Sequence, residues 1–261
     1  MDKPTLKAKD AIELSAENFS HSLQALAQKG QWESNPLHWP KILSTKAFGD
    51  CPDAQHQNAM QQAIKGYSQK VLHHMDEAIP SDWKGSVYLT GGLSSGYFGY
   101  GIREGLEQRQ RSWKVVLTPR RGLATLFGGA SILSQEGKVL VIDEGSLHTK
   151  QALAEKDQTG QIQIHPLRSM GKPLGTHLNP QELSKEYDGI IRIQSTPTPV
   201  PKITHGWIVH LSSIEALGFW LHERDNMALG LDLGNFPRWY TPASPDSIRR
   251  RKHFKSMESE K

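Results

Sequence analysis

An apolar strand, Ser86 to Leu89, stops at Gly91-Gly92 and gives way to Leu93-Ser94-Ser95, then to an amphipathic stretch from Tyr100 to Gln108. A second apolar run, Trp113 to Leu117, leads into small residues around Gly128-Gly129-Ala130. Strand, glycine turn, helix, strand, helix is the order in which α/β folds present glycine backbone to a ligand at the carboxyl ends of parallel strands. Glycine permits positive φ and close backbone approach. Ser94 and Ser95 can cap the next helix or donate to a ligand oxygen.

Other segments extend the pattern. Lys138-Val-Leu-Val-Ile-Asp143 is continuous and apolar, as expected of a strand buried on both faces. Gln151 to Ala154 and Gln161 to His165, either side of the turn Asp157 to Gly160, add two strands, and Ile190 to Ile193 another. Apolar spacing predicts helices within Ala11 to Lys29 and from Gln57 to Ile79. The expected fold is α/β, with a central, mostly parallel sheet flanked by helices. Ser195-Thr-Pro-Thr-Pro-Val-Pro201 reads as an extended linker. It separates an α/β nucleotide-type domain over 1–194 from a small α+β segment over 202–261. In that segment Gly206 to Leu211 reads as a strand and Ser213 to Glu223 as a helix. From Pro237 the chain reads as irregular, ending in a disordered basic tail.

Composition narrows the classes. No run of about 18 apolar residues is present, so no membrane span is expected. Met1-Asp2-Lys3-Pro4 lacks the apolar core of a secretory signal, and the single cysteine, Cys51, allows neither an intrachain disulfide nor a cysteine zinc cluster. A cytoplasmic location follows as the expectation. The formal charge of +4 lies largely in Arg249-Arg250-Arg251-Lys252, a tail suited to nucleic acid, to an acidic protein partner or simply to solvent. Twelve histidines include no His-Glu-x-x-His, and the adjacent His73 and His74 diverge by about 100° on a helix.

The succession of helix (Ala63 to Ile79), apolar strand with Gly-Gly-x-Ser (Val87 to Ser94), Val115 to Pro119 and Leu123 to Leu133 resembles the adenosine-binding half of the actin/Hsp70 ATPase superfamily. The resemblance implies ATP with magnesium as ligand, and Gly91, Gly92, Ser94 and Ser95 as its contacts. That family opens with a phosphate hairpin of the form Ile-Asp-x-Gly-Ser/Thr-x-x-Thr-Lys. Here Val141-Ile-Asp143-Glu-Gly145-Ser146-Leu-His-Thr149-Lys150 follows the adenosine-like segment instead of preceding it. By the resemblance Asp143 is the catalytic, metal-holding carboxylate, and Gly145, Ser146 and Lys150 face a phosphate. That order departs from the family's unless the chain is permuted, and it leaves turnover open. A second Asp-x-Gly is also expected. Asp232-Leu-Gly234 has that composition but lies beyond the linker.

A rival reading rests on the same strand. Val139 to Asp143-Glu144 is similar to a Walker B strand, and Val116-Leu-Thr-Pro-Arg120-Arg121 to the strand end by which helicases touch single strands. No Gly-x-x-x-x-Gly-Lys-Ser/Thr occurs, so such a module would be catalytically dead. It would bind single-stranded nucleic acid through Arg120 and Arg121, with Trp239 and Tyr240 stacking on bases.

Overall fold

The computed structural model describes residues 4–15, 17–19, 21, 54–94, 97–109, 111–118, 123–133, 137–145, 148–167, 170–171, 186–194, 206–234, 237–246 and 248. In chain order the elements are α1 (Ala8–Glu13), α2 (Ala54–Ala78), β1 (Ser86–Thr90), a 3-10 turn (Gly92–Ser94), α3 (Tyr97–Glu107), β2 (Lys114–Leu117), α4 (Ala124–Ala130), β3 (Gly137–Glu144), β4 (His148–Lys156), β5 (Ile162–Pro166), β6 (Met170–Gly171), β7 (Gly189–Gln194), β8 (Trp207–Ser212), α5 (Ser213–His222), β9 (Leu229–Asp232) and β10 (Arg238–Tyr240). The protein is α/β, with two sheets flanked by helices. It divides into two compact units: residues 1–122 with 227–241, and residues 123–226 with 242–261.

The first unit is built on a four-stranded sheet in the order β10-β9-β1-β2. β1 is parallel to both β2 and β9, and β10 closes one edge antiparallel to β9. Helix α2 carries apolar residues three and four apart, and it buries Ile64, Tyr67, Val71, Leu72 and Met75 as one stripe. That stripe packs in one core with Val87 and Leu89 of β1, Ile102 and Leu106 of α3, Leu231 of β9 and Trp239 of β10. Each such side chain contributes about 1.5–3 kcal/mol when fully buried.

The second unit holds a six-stranded sheet in the order β5-β4-β3-β7-β8, with β6 pairing with β4. β3 is antiparallel to β4 and parallel to β7, and β7 is parallel to β8. Val139, Val141, Ile191, Ile193, Val209 and Leu211 form one apolar face, covered by Leu126 and Ala130 of α4 and by Ala216 and Phe219 of α5. Ser212 starts α5 through a capping box with Glu215, which satisfies amides that the first turn leaves without partners. Asp157 closes the β4–β5 turn by accepting from the Thr159 amide and hydroxyl and from the Gln161 amide. Its bond from the Thr159 hydroxyl holds this exposed carboxyl below the usual carboxylate range.

Several expectations change. There are two sheets rather than one central sheet. The 195–201 linker lies outside the described residues, but the strands on either side of it, β7 and β8, pair within one sheet. The expected boundary at that linker is therefore replaced by three crossings between the units, near residues 122, 227 and 241. The chain after Pro237 is not irregular throughout, since Arg238–Tyr240 form β10. The expected first helix is broken: α1 ends at Glu13, residues 17–19 and 21 are helical again, and the rest of the stretch to Lys29 lies outside the described residues, as does the basic tail. No described helix is long and apolar enough to cross a membrane.

The two sheets share a plan. In each, a hairpin (β9–β10, β3–β4) has its first strand flanked on the other side by two parallel strands, β1 and β2 or β7 and β8. Both hairpins carry Asp-x-Gly where the first strand ends: Asp232-Leu-Gly234 and Asp143-Glu-Gly145.

Candidate functional site

The glycine turn lies at the carboxyl end of β1, beside the carboxyl end of parallel β9, with Thr90 in register with Asp232. Gly91 has φ +88°, and a Cβ there would lie 2.5 Å from the Leu233 carbonyl oxygen and 2.7 Å from Asp232 Oδ1. Only glycine fits such a position. Two backbone bonds tie the turns together: Leu233 N–H donates to Thr90 O (2.8 Å), and Leu93 N–H donates to Leu233 O (3.0 Å). The Asp232-Leu-Gly234 segment, separated from the glycine turn by some 140 residues of sequence, is thus its direct neighbour.

Gly92 differs from Gly91. It is exposed, its φ is not positive, and a Cβ would meet no described atom within 4 Å. Among the described residues no atom stands where a side chain at that position would be. Ser94 is turned inward and buried, its hydroxyl donating to Gly91 O (2.8 Å), so it shapes the turn from within. Ser95 lies outside the described residues.

Asp232 is positioned by hydroxyls. Thr90 Oγ1 donates to Asp232 Oδ1 (3.2 Å), and the Tyr240 hydroxyl donates to Thr90 Oγ1 (3.3 Å). Burial, reinforced by the Asp232 carboxylate, pushes the Tyr67 phenol above its usual range, so it stays a proton donor, bonding to Leu14 O (2.9 Å).

In the second unit Asp143 ends β3 with its carboxylate on the helix-covered face. Thr125 of α4 donates to Asp143 Oδ2 (2.7 Å), and Lys150, its cross-strand partner on β4, places Nζ 3.4 Å away. The Lys150 ammonium therefore already neutralises Asp143, and a metal ion at Asp143 would have to displace it. Among the described residues no group of three or more His, Cys, Asp or Glu is arranged to hold a metal ion. Glu144 points to the opposite face, where Arg192 donates through Nε (2.7 Å) and Nη2 (2.6 Å) to one carboxylate oxygen, and Gln194 Nε2 donates to the other (2.9 Å). Gly145 follows β3 directly, and Ser146 lies outside the described residues.

The residues expected to stack on bases do not form a recognition surface. Trp239 and Tyr240 are 1% and 0% exposed, inside the first unit. The remaining members of that set, Arg120 and Arg121, lie outside the described residues. Thr90, Thr125, Arg192 and Gln194 went unnoticed in the sequence. The one available signal was Arg192, a single charge inside Ile190-Ile-Arg-Ile193.

The sequence matches no family model and no curated relative. Two solved structures from Aquifex aeolicus are similar to parts of it: a Ppx/GppA family member and the type II variant of a Ppx/GppA phosphatase. Each is 16% identical and covers 54% of this chain, with TM-scores of 0.24 and 0.25. The chain spans about half the length of those structures, 51% and 52%. A likeness of that grade carries no functional argument.

Proposed function

We propose that the protein binds a nucleotide, with the Gly91-Gly92 turn as the contact surface and Asp232 as the carboxylate beside it. The observation that carries this is the contrast between the two glycines. The fold demands Gly91, whereas Gly92 is exposed and has open space where its side chain would be. An exposed glycine that no described atom crowds, next to one at positive φ at the ends of parallel strands, suits close approach by a ligand from outside.

The arrangement also bears on the inverted motif order. An Asp-x-Gly hairpin, β9–β10, stands beside the glycine strand β1 although it comes from the far end of the sequence. That supports an actin-like layout in a permuted chain, with Asp143-Glu-Gly145 as the corresponding hairpin of the second unit.

ATP and magnesium fit the residues present. Backbone amides at a glycine turn suit a phosphate, while Asp232 alone would repel one. Magnesium removes that repulsion, being held by one or two carboxylates together with substrate phosphates. Asp232 is the residue that would hold it. Turnover is not part of the proposal.

Calorimetric titration with ATP and magnesium tests this. The wild type is expected to bind, and Gly92→Trp to weaken binding at least ~10-fold, about 1.4 kcal/mol, while leaving the unfolding midpoint unchanged. Equal binding by wild type and Gly92→Trp would overturn the site, and no binding by the wild type would overturn the function.

A further inference from the structure

A buried histidine in the first unit joins three elements that are far apart in sequence. His74 lies on the inner side of α2 and is 7% exposed. Its Nε2 accepts a hydrogen bond from the indole Nε1–H of Trp239 in β10, at 3.0 Å. The rings lie 5.9 Å apart at 38°. On the other side Nδ1 stands 3.8 Å from Asp10 Oδ2 of α1.

An indole nitrogen only donates, so the imidazole nitrogen facing it must be unprotonated. His74 is therefore neutral, with its proton on Nδ1 toward Asp10. We propose that His74 is a proton-sensitive latch on the β9–β10 hairpin: neutral, it holds Trp239 and keeps β10 seated against α2; protonated, it cannot accept, and the hairpin is released. A proton on Nε2 would set two N–H donors against each other in a place that excludes water. β10 is a short edge strand, and its neighbouring residue Tyr240 supports Thr90 and Asp232. Loss of the Trp239 bond is thus felt at the Asp-x-Gly turn. The latch stands on its own geometry and does not depend on nucleotide binding.

The charged groups facing His74 set where it acts. Burial lowers its pKa below the ordinary histidine value. Asp10 of α1 and Glu77 of α2 oppose this, while His73 of α2 and Lys7, just before α1, add to it. For a group whose folded pKa is depressed, the unfolded or released form takes the proton first. The closed hairpin is therefore fully favoured above the free-histidine pKa of about 6.5, and loses ground as pH falls from there toward the folded value.

Amide hydrogen exchange on the intact protein, corrected for intrinsic chemistry, reads the latch directly. Between pH 7.5 and 5, protection at Arg238 to Tyr240 is expected to fall at least ~5-fold more than at Val139 to Ile142 of the second unit. His74→Gln keeps an acceptor for the indole but cannot titrate, so the difference should vanish. An equal pH response in wild type and His74→Gln would overturn the latch. Should that variant fail to fold, nitrogen chemical shifts of the wild-type ring decide: a proton on Nδ1 and a midpoint below about 6.5 support the latch, and a proton on Nε2 or a midpoint at or above 6.5 overturns it.

Discussion

The two Asp-x-Gly hairpins occupy the same place in their sheets but are held by different chemistry. In the second unit both carboxylates at the end of β3 are paired with cations, Asp143 with Lys150 and Glu144 with Arg192. In the first unit the described contacts of the hairpin include neutral ones: the Thr90 and Tyr240 hydroxyls, the Trp239–His74 bond, and the Tyr240 ring lying over Gly230. One topology thus accepts either an ionic or an uncharged anchor. The difference has consequences, because Lys150 and Arg192 answer the carboxylates of the second unit, whereas the Thr90 hydroxyl orients Asp232 beside the glycine turn.

The largest effect is expected where a charge would be stranded. The side chains of Arg192 and Glu144 are 8% and 6% exposed, so Arg192→Leu leaves a buried carboxylate without its cation. Urea unfolding should show a loss of about 3–5 kcal/mol, and Arg192→Met combined with Glu144→Met should recover most of it. A loss below ~1 kcal/mol would mean that the pair is solvated, and the ionic half of the comparison would fail. In the first unit the sharpest test is steric. Gly91→Ala forces a side chain into positive φ and against the Leu233 carbonyl, for about 3 kcal/mol, while Gly92→Ala should change stability by less than ~0.5 kcal/mol. Equal costs at the two positions would remove the distinction on which the proposed ligand surface rests.

How much of this could be read from the sequence depended on distance along the chain. β3 was legible because five consecutive buried residues, Val139 to Asp143, leave a continuous apolar signature. The glycine turn was legible because a strand stopping at two glycines is a local event. β9 and β10 were not, because four and three residues, one of them Gly230, carry too little periodicity to register. Their place beside β1 depends on pairing Val87 with Leu229, which no local pattern encodes. Trp239 and Tyr240 were misplaced for the same reason: next to Arg238 in an apparent loop they suggest a surface, and only the strand pairing reveals that both are core. Asp232-Leu-Gly234 was visible as a composition but not as a neighbour of Gly91.

The smallest test compares two hydroxyls in matching roles. Thr125 donates at 2.7 Å to a carboxylate paired with Lys150, and bonds to charged groups contribute about 1.5–3 kcal/mol. The Tyr240 hydroxyl donates at 3.3 Å to another hydroxyl, a longer and neutral bond worth about 0.5–1 kcal/mol. Thr125→Val should therefore cost roughly three times as much as Tyr240→Phe in urea unfolding. Because the phenylalanine ring still covers Gly230, the second figure isolates the hydroxyl from the packing. If Tyr240→Phe proves the more costly, the Tyr240–Thr90–Asp232 chain is stronger than its distances suggest, and the hydroxyl-held hairpin is as firmly anchored as the ionic one.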